Sequence, residues 1–338
     1  MMFWLLARPI VAHFVSFTFF VTLMTWISLL IGAAITFVVR TDHGLPKTFR
    51  GFLRFFLPPE IIRSRSCRID AVFWIVSRVS LPFLVVPFLL GSAVVSTLTY
   101  RGLTDLMGVR AQNPESTLVW LCVAVAVTIA ADFATFYTHY LDHKIRVMWE
   151  FHKVHHSAEF LIPLTNKRFH PVQRIFDDSG VALVTGFMLG GFSYAFSMPI
   201  YDNTVVGLDA YFLLNALSFY HLRHSHINMT YGRLESWILS PAQHHLHHSR
   251  EDRHWDKNFG LMFSVWDRMF GTLLYSEPKG SFRLGLPESE ALGYGSVLGL
   301  YMTPFVNLWK MGKNTALTAF PRPLADTTPE PSSHVTTS

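Results

Sequence analysis

"HYLDHKIRVMWEFHKVHH", residues 139–156, sets five histidines within eighteen positions, directly behind an apolar run from Thr117 to Tyr137 that is long enough to cross a bilayer. A single histidine at a membrane edge reads as an interfacial or hydrogen-bonded residue, and His13, His43, His254 and His334 are of that kind. Five at helical spacing are a different matter. His139 and His143 are four apart, and His152, His155 and His156 form H-x-x-H-H. On a helix, positions three and four apart share a face, so each motif is expected to aim its rings at one place. The pattern returns in "QHHLHH", where His244, His247 and His248 again make H-x-x-H-H. Without a metal, these eight histidines would crowd imidazolium charges together near low dielectric. Metal ligation is the reading that the spacing supports.

The chain around the motifs is too apolar for an ordinary soluble domain. Of its 338 residues 50% are hydrophobic and 15% charged, whereas soluble domains are roughly a quarter charged. Ile10 to Val39 runs without a formal charge, well beyond the apolar core of a cleaved secretory signal, so it reads as a retained span. Further apolar runs are Ala71 to Tyr100, bent by Pro82 and Pro87; Thr117 to Tyr137, carrying Asp132; Gly180 to Ile200; and Val205 to Tyr220. The last covers roughly 24 Å of helix against a core of ~30 Å, so it either crosses with snorkelling flanks or dips in. The expected fold is therefore all-α, a polytopic membrane protein of about four to five spans with a histidine-rich helical cap.

Four regions follow from the same reading: membrane helices and a basic loop over 1–116, a catalytic domain over 117–285, an interfacial segment over 286–320, and a disordered Pro/Ser/Thr-rich tail over 321–338. Arg40 to Asp70 holds seven Lys or Arg and Lys144 to Arg174 holds six, against two in 101–116 and one before the first span. The positive-inside rule makes that loop face cytoplasmic, and alternating spans put every histidine cluster on it. The formal charge of +5 thus belongs to lipid headgroups and topology, and nucleic acid is set aside. Cys67 and Cys122 lie far apart with no C-x-x-C, which argues for neither a disulfide framework nor a cysteine zinc site.

Imidazole suits zinc, copper, iron or nickel and argues against magnesium or calcium. Structural zinc takes four ligands and catalytic zinc usually three. Eight strong candidates exceed one ion that must leave room for a reactant, so two metals are the economical reading. The paired Glu-x-x-His helices of soluble di-iron bundles are missing, so any di-iron site here is histidine-rich.

"DFATFYTHYLDHKIRVMWEFHKVHHS", "NKRFHP" and "HSHINMTYGRLESWILSPAQHHLHHSREDRHWDKNFGLMFSVWDRMFGT" together resemble the fatty acid hydroxylase superfamily, the integral-membrane sterol desaturase-type enzymes, over roughly residues 120 to 285. The H-x-x-x-H spacing of His139 and His143 leans toward the sterol desaturase branch. The resemblance implies two iron ions, O2 as co-substrate, a lipid substrate from the bilayer, and an external electron donor such as a ferredoxin, a flavin reductase or a b5-type haem protein. It implies as metal ligands His139, His143, His152, His155, His156, His244, His247 and His248, with His224 in an H-S-x-I element, and His170 and His221 as ligands or pocket residues. His226 and His245 have no clear counterpart. Asp132, Asn166 and Asn258 become candidate catalytic-site residues, and Asp256 also matches a family position. Asp132, seven residues before His139 on the same helical face, is expected to orient that ring, because a carboxylate inside a span is costly without such work. Two rivals stand beside the oxygenase reading: a histidine-rich metal transporter or sensor, whose ligands belong nearer the bilayer midplane, and a membrane zinc hydrolase.

Overall fold

A computed structural model of the chain describes residues 2–41, 43–111, 116–197, 213–215, 218–277 and 282–313, with side chains from Phe19 onward. Among these residues there are helices and turns but no strand, only two isolated bridges, Ile238 to Phe263 and Ser249 to Leu284. Ten helices matter for the site: α1 (Met2–Val39), α2 (Phe49–Phe56), α3 (Arg65–Leu84), α4 (Ser92–Met107), α5 (Thr117–Lys144), α6 (Arg146–His156), α7 (Pro171–Phe196), α8 (Pro241–His247), α9 (Val265–Phe270) and α10 (Val297–Lys313). Within α1, Phe19–Val39 is long and apolar enough to cross a membrane, as are α5 and α7. The expected second span, Ala71 to Tyr100, is a pair of helices, α3 and α4, bent by 41° around Val86–Phe88. Proline's missing N–H and fixed φ explain the break, since Pro82 lies near the end of α3 and Pro87 within the break itself. Counting the bent pair as one gives four helices of membrane-spanning length and composition among the described residues. The chain is an integral membrane protein. Ten of the sixteen residues from Val205 to Tyr220 lie outside the described residues, as does the whole 321–338 tail.

The spans pack through small residues. A Cβ on Gly186 of α7 would lie 2.7 Å from the Ser92 carbonyl oxygen, and one on Gly190 would lie 2.5 Å from that of Ser96. This Gly-x-x-x-Gly face lets α7 and α4 touch backbone to backbone, the usual device of helices that have no hydrophobic drive between them in lipid. The basic stretch 40–70, read from sequence as a loop, contains the amphipathic α2. Its Phe52, Phe55 and Phe56 pack against Leu29, Ala33, Leu222 and Ile227, while Phe49 is 75% exposed beside Arg50. Helix α10 occupies the expected interfacial segment. Leu300 packs with Phe73, Val154, Leu286 and Tyr294, and Leu298, Met302 and Trp309 face outward.

Buried charges pin the cap to the spans. Asp132, fully buried in α5, accepts hydrogen bonds from the Met262 amide (2.8 Å), the Phe263 amide (3.2 Å) and the Trp266 indole N–H (2.9 Å). It therefore holds the C-terminal lobe, not His139, and the sequence expectation is corrected. The physical reason is that backbone donors 130 residues away satisfy the carboxylate more completely than one imidazole could. Arg168 does the same for the other lobe. Its guanidinium reaches Asp70 of α3 (2.8 Å), the Val154 carbonyl of α6 (3.0 Å) and the Ser157 hydroxyl (2.7 Å), while Thr165 donates to the second Asp70 oxygen (2.6 Å).

Asp132→Ala leaves two backbone amides and an indole N–H without an acceptor, a cost of about 3 kcal/mol or more. Thermal unfolding of the detergent-purified variant is expected to show a clear fall in midpoint, and an unchanged midpoint would contradict this role.

Candidate metal centre

Helix α5 runs unbroken from its apolar half into the histidines, then ends at Ile145, whose extended backbone turns the chain into α6. The reversal sets His139 and His143, near the end of α5, against His152 and His156 on α6. The opposing wall is α8, a short helix fixed by a capping box: Ser240 accepts from the Gln243 amide and the Gln243 side chain accepts from the Ser240 amide.

The rings fall into two groups. His139, His143, His152, His156 and His247 form one, and His155, His224, His244 and His248 the other; within each group the ligand atoms lie within 4.8 Å of one another. Each H-x-x-H-H motif is thereby divided. Residues four apart stay together, while the residue three after the first goes to the neighbouring group: His152 and His156 on one side with His155 on the other, His244 and His248 on one side with His247 on the other. This corrects the expectation that each motif serves one place. Adjacent residues on a helix point about 100° apart, so a His–His pair can straddle two sites. The groups abut, with the His156 and His248 rings stacked at 4.5 Å.

The protonation states follow from the partners. Nδ1 of His139 faces the Phe259 carbonyl oxygen (2.9 Å) and Nδ1 of His247 faces the Lys257 carbonyl oxygen (2.8 Å). A carbonyl only accepts, so both Nδ1 atoms carry the proton and both Nε2 atoms of the neutral rings are bare lone pairs. These Nε2 atoms are buried with no hydrogen-bond partner among the described residues. A buried lone pair without a donor calls for a Lewis acid. In the second group the His155 and His224 Nε2 atoms are 3.0 Å apart, His244 to His224 is 3.1 Å and His248 to His244 is 3.1 Å. With bonds of about 2.1 Å, ligands at right angles around one ion are about 3.0 Å apart, and tetrahedral ones about 3.4 Å. The donor set thus fits an ion that takes ligands at right angles.

Burial is the main force on the titrations. It holds His152, His156, His224, His244, His247 and His248 well below the ordinary histidine range, with neighbouring imidazoles adding to it. Burial, then the charge of Arg168, brings His155 to about 3. All are neutral at physiological pH, the form that binds metal. Carboxylates tie two further rings. Asp256 lies 3.4 Å from His143 Nδ1 and is bonded by Lys144 at 2.8 Å; Asp142 lies 3.3 Å from His152 Nδ1, and the Gln173 side-chain amide nitrogen meets that Nδ1 at 2.6 Å while donating to Asp142 at 2.9 Å. Asp142 escaped the sequence reading. Its signal was a carboxylate inside the H-x-x-x-H motif, one residue before His143.

The remaining candidates lie elsewhere. His170 caps the N-terminus of α7: its Nδ1 accepts from the Val172 amide (3.2 Å) and its Nε2 donates to the Tyr301 carbonyl (3.1 Å). Both nitrogens are spent, which removes it from the ligands. His221 Nε2 meets the Thr25 hydroxyl at 3.0 Å, and that hydroxyl donates to Val21, so the ring donates to it. His221 belongs to neither group. His226 contacts the Phe55 carbonyl, and His245 is buried outside both groups. Asn166 accepts from the Tyr220 hydroxyl (3.1 Å). Asn258, in the left-handed region at φ 59°, donates to the Gln243 carbonyl (3.0 Å) and accepts from the Leu274 amide (2.8 Å), bracing the turn that carries α8. Both asparagines are placed as scaffold, without contact to either group.

The fold and site define a class: membrane-length helices whose ends hold two adjoining histidine pockets suited to metal. Comparison with known proteins points the same way. Residues 124–272 match the family model described as Fatty acid hydroxylase, and over that stretch the chain is similar to members of the fatty acid hydroxylase superfamily. It is 28% identical over 168 residues to alkylglycerol monooxygenase of Xenopus tropicalis, covering 49% of this chain and 31% of that protein. Ornithine lipid hydroxylase OlsE of Rhizobium tropici is 25% identical over 166 residues (49% and 46%). Fatty acid hydroxylase vlmA of Lecanicillium sp is 28% identical over 163 residues (45% and 42%). These matches span less than half the length of each relative. No solved structure matches.

Elemental analysis of purified variants separates ligands from scaffold. His152→Ala and His247→Ala are each expected to lower bound metal by at least one ion per chain, and His170→Gln to keep the full complement. Full metal in both alanine variants would contradict the grouping.

Proposed function

We propose that this chain is a membrane-bound, O2-dependent di-iron oxidoreductase that hydroxylates an unactivated C–H bond of a lipid, with desaturation as the alternative outcome of the same chemistry. The observation that carries the reading is the pair of abutting pockets, five imidazoles against four, with buried lone pairs turned inward. Iron is favoured over zinc by the number of donors, by the right-angle spacing of the second group and by the family. Hydroxylation is favoured by relatives named as monooxygenases and lipid hydroxylases.

In the net reaction one oxygen atom of O2 enters the C–H bond and the other leaves as water, using two electrons and two protons from an external donor. A ferredoxin, a flavin reductase or a b5-type haem protein would supply the electrons. The irons, when bound, would supply the oxidising power toward O2 and the C–H bond. This chain's own residues do the rest. The nine histidines hold the ions, while the Phe259 and Lys257 carbonyls with Asp142 and Asp256 fix ring orientation. Phe259 packs on His139, His143 and His247 and keeps water from that side. The cap is proposed to face the cytoplasm, as the charge of the flanking loops supports.

The purified chain is expected to hold two irons and to consume O2 in step with lipid oxidation when reductant is supplied. Stoichiometric zinc with no lipid-dependent O2 uptake would overturn the proposal in favour of a hydrolase or a transport role.

A further inference from the structure

A cavity of about 420 Å3 opens beside the first histidine group, and His143, His156 and His247 form part of its wall. Its size is within the range of small-molecule sites. The rest of the lining is strongly polar and balanced: Lys144, Arg146 and Lys153 against Glu150, Asp256 and Glu290, three charges of each sign. Lys144 pairs with Asp256 at 2.8 Å, and Lys153 with Glu150 at 2.6 Å and Glu290 at 3.2 Å. Arg146 is exposed and has no ion pair among the described residues. An acyl chain lying against six charges would strip them of water without compensation. A polar group that is itself zwitterionic would meet partners of both signs.

The same histidine group also packs against an aromatic cluster. Phe259 lies 4.9 Å from the His143 ring, and Tyr140 and Phe136 pack behind it with Phe270. Tyr137 and Phe270 reach the outer surface at 41% and 39% exposure. Pro287 and Glu290 line the cavity, and the chain runs on from them through Leu292, which is 86% exposed, to α10. The first histidine group thus has a polar chamber beside it and an aromatic cluster packed against it.

We propose that the cavity takes the zwitterionic head of an amphipathic lipid, so that the C–H bond presented to the metal centre is next to the head, not in mid-chain or at the methyl end. This rests on the lipid hydroxylase reading and adds its substrate class and regiochemistry. Arg146 and Glu290 are the specificity-determining residues, and neither belongs to a histidine group.

The test uses the full chain in detergent and three single-chain probes that differ only at the head: hexadecylphosphocholine, hexadecyl phosphate and hexadecanol. Native mass spectrometry of the protein as purified, without reductant, reads retention. The phosphocholine probe is expected to be held about tenfold better than either other probe, and Arg146→Gln and Glu290→Gln should each bring that preference toward unity. Equal retention of the three, or better retention of the phosphate, would overturn the zwitterion assignment. With iron and reductant, tandem mass spectrometry should place the new oxygen on the head-proximal methylenes. Oxygen at mid-chain or at the methyl end would overturn the placement while leaving the hydroxylase reading intact. Head-selective retention by a protein that binds iron yet oxygenates no lipid would support the cavity and sink the hydroxylase reading.

Discussion

Two neutral imidazoles whose Nδ1 protons are committed to carbonyl oxygens, and whose Nε2 lone pairs are buried with nothing to accept from, set the terms for the rest of the structure. Such lone pairs are costly unless a cation meets them. Everything around His139 and His247 maintains that condition. The α5 helix carries His139 to the end of the apolar layer, α8 brings His247 from the other side, and Phe259 closes the gap between them.

Holding three distant stretches together at a membrane edge falls to buried charges that are not themselves metal ligands. Asp132, Arg168, Arg223 and Asp267 each satisfy several partners on different segments. Asp267 accepts from the Phe259 and Gly260 amides and the Thr272 hydroxyl, and Arg223 donates to the Gly260 and Leu239 carbonyls. Both act on the turn that places Phe259 over the histidines. Their value is geometric: a buried charge is tolerated when it is hydrogen-bonded, and these bonds fix the positions of loops that have little helix of their own.

Much of this was legible in the sequence because it depends on local periodicity. The i, i+4 spacing of His139 with His143 and of His152 with His156 follows from the helix itself, and the apolar runs marked the spans. What escaped depends on partners remote in sequence. Nothing in H-x-x-H-H says that its adjacent rings divide between two pockets, since that requires a second motif facing the first. Asp132 looked like a partner for His139 because the two share a helical face, but backbone amides at 262 and 263 claim it, and backbone donors leave no mark in a sequence. The family resemblance offered His170 as a ligand or a pocket residue, although its place before Pro171 already suited a helix cap.

The paired centre is tested most directly by an anomalous difference map recorded at the iron edge from crystals of the iron-loaded protein. Two separate peaks are expected, one among His139, His143, His152, His156 and His247 and one among His155, His224, His244 and His248. A single peak shared by the two groups, or iron only outside them, would contradict a dinuclear site built by dividing each histidine motif.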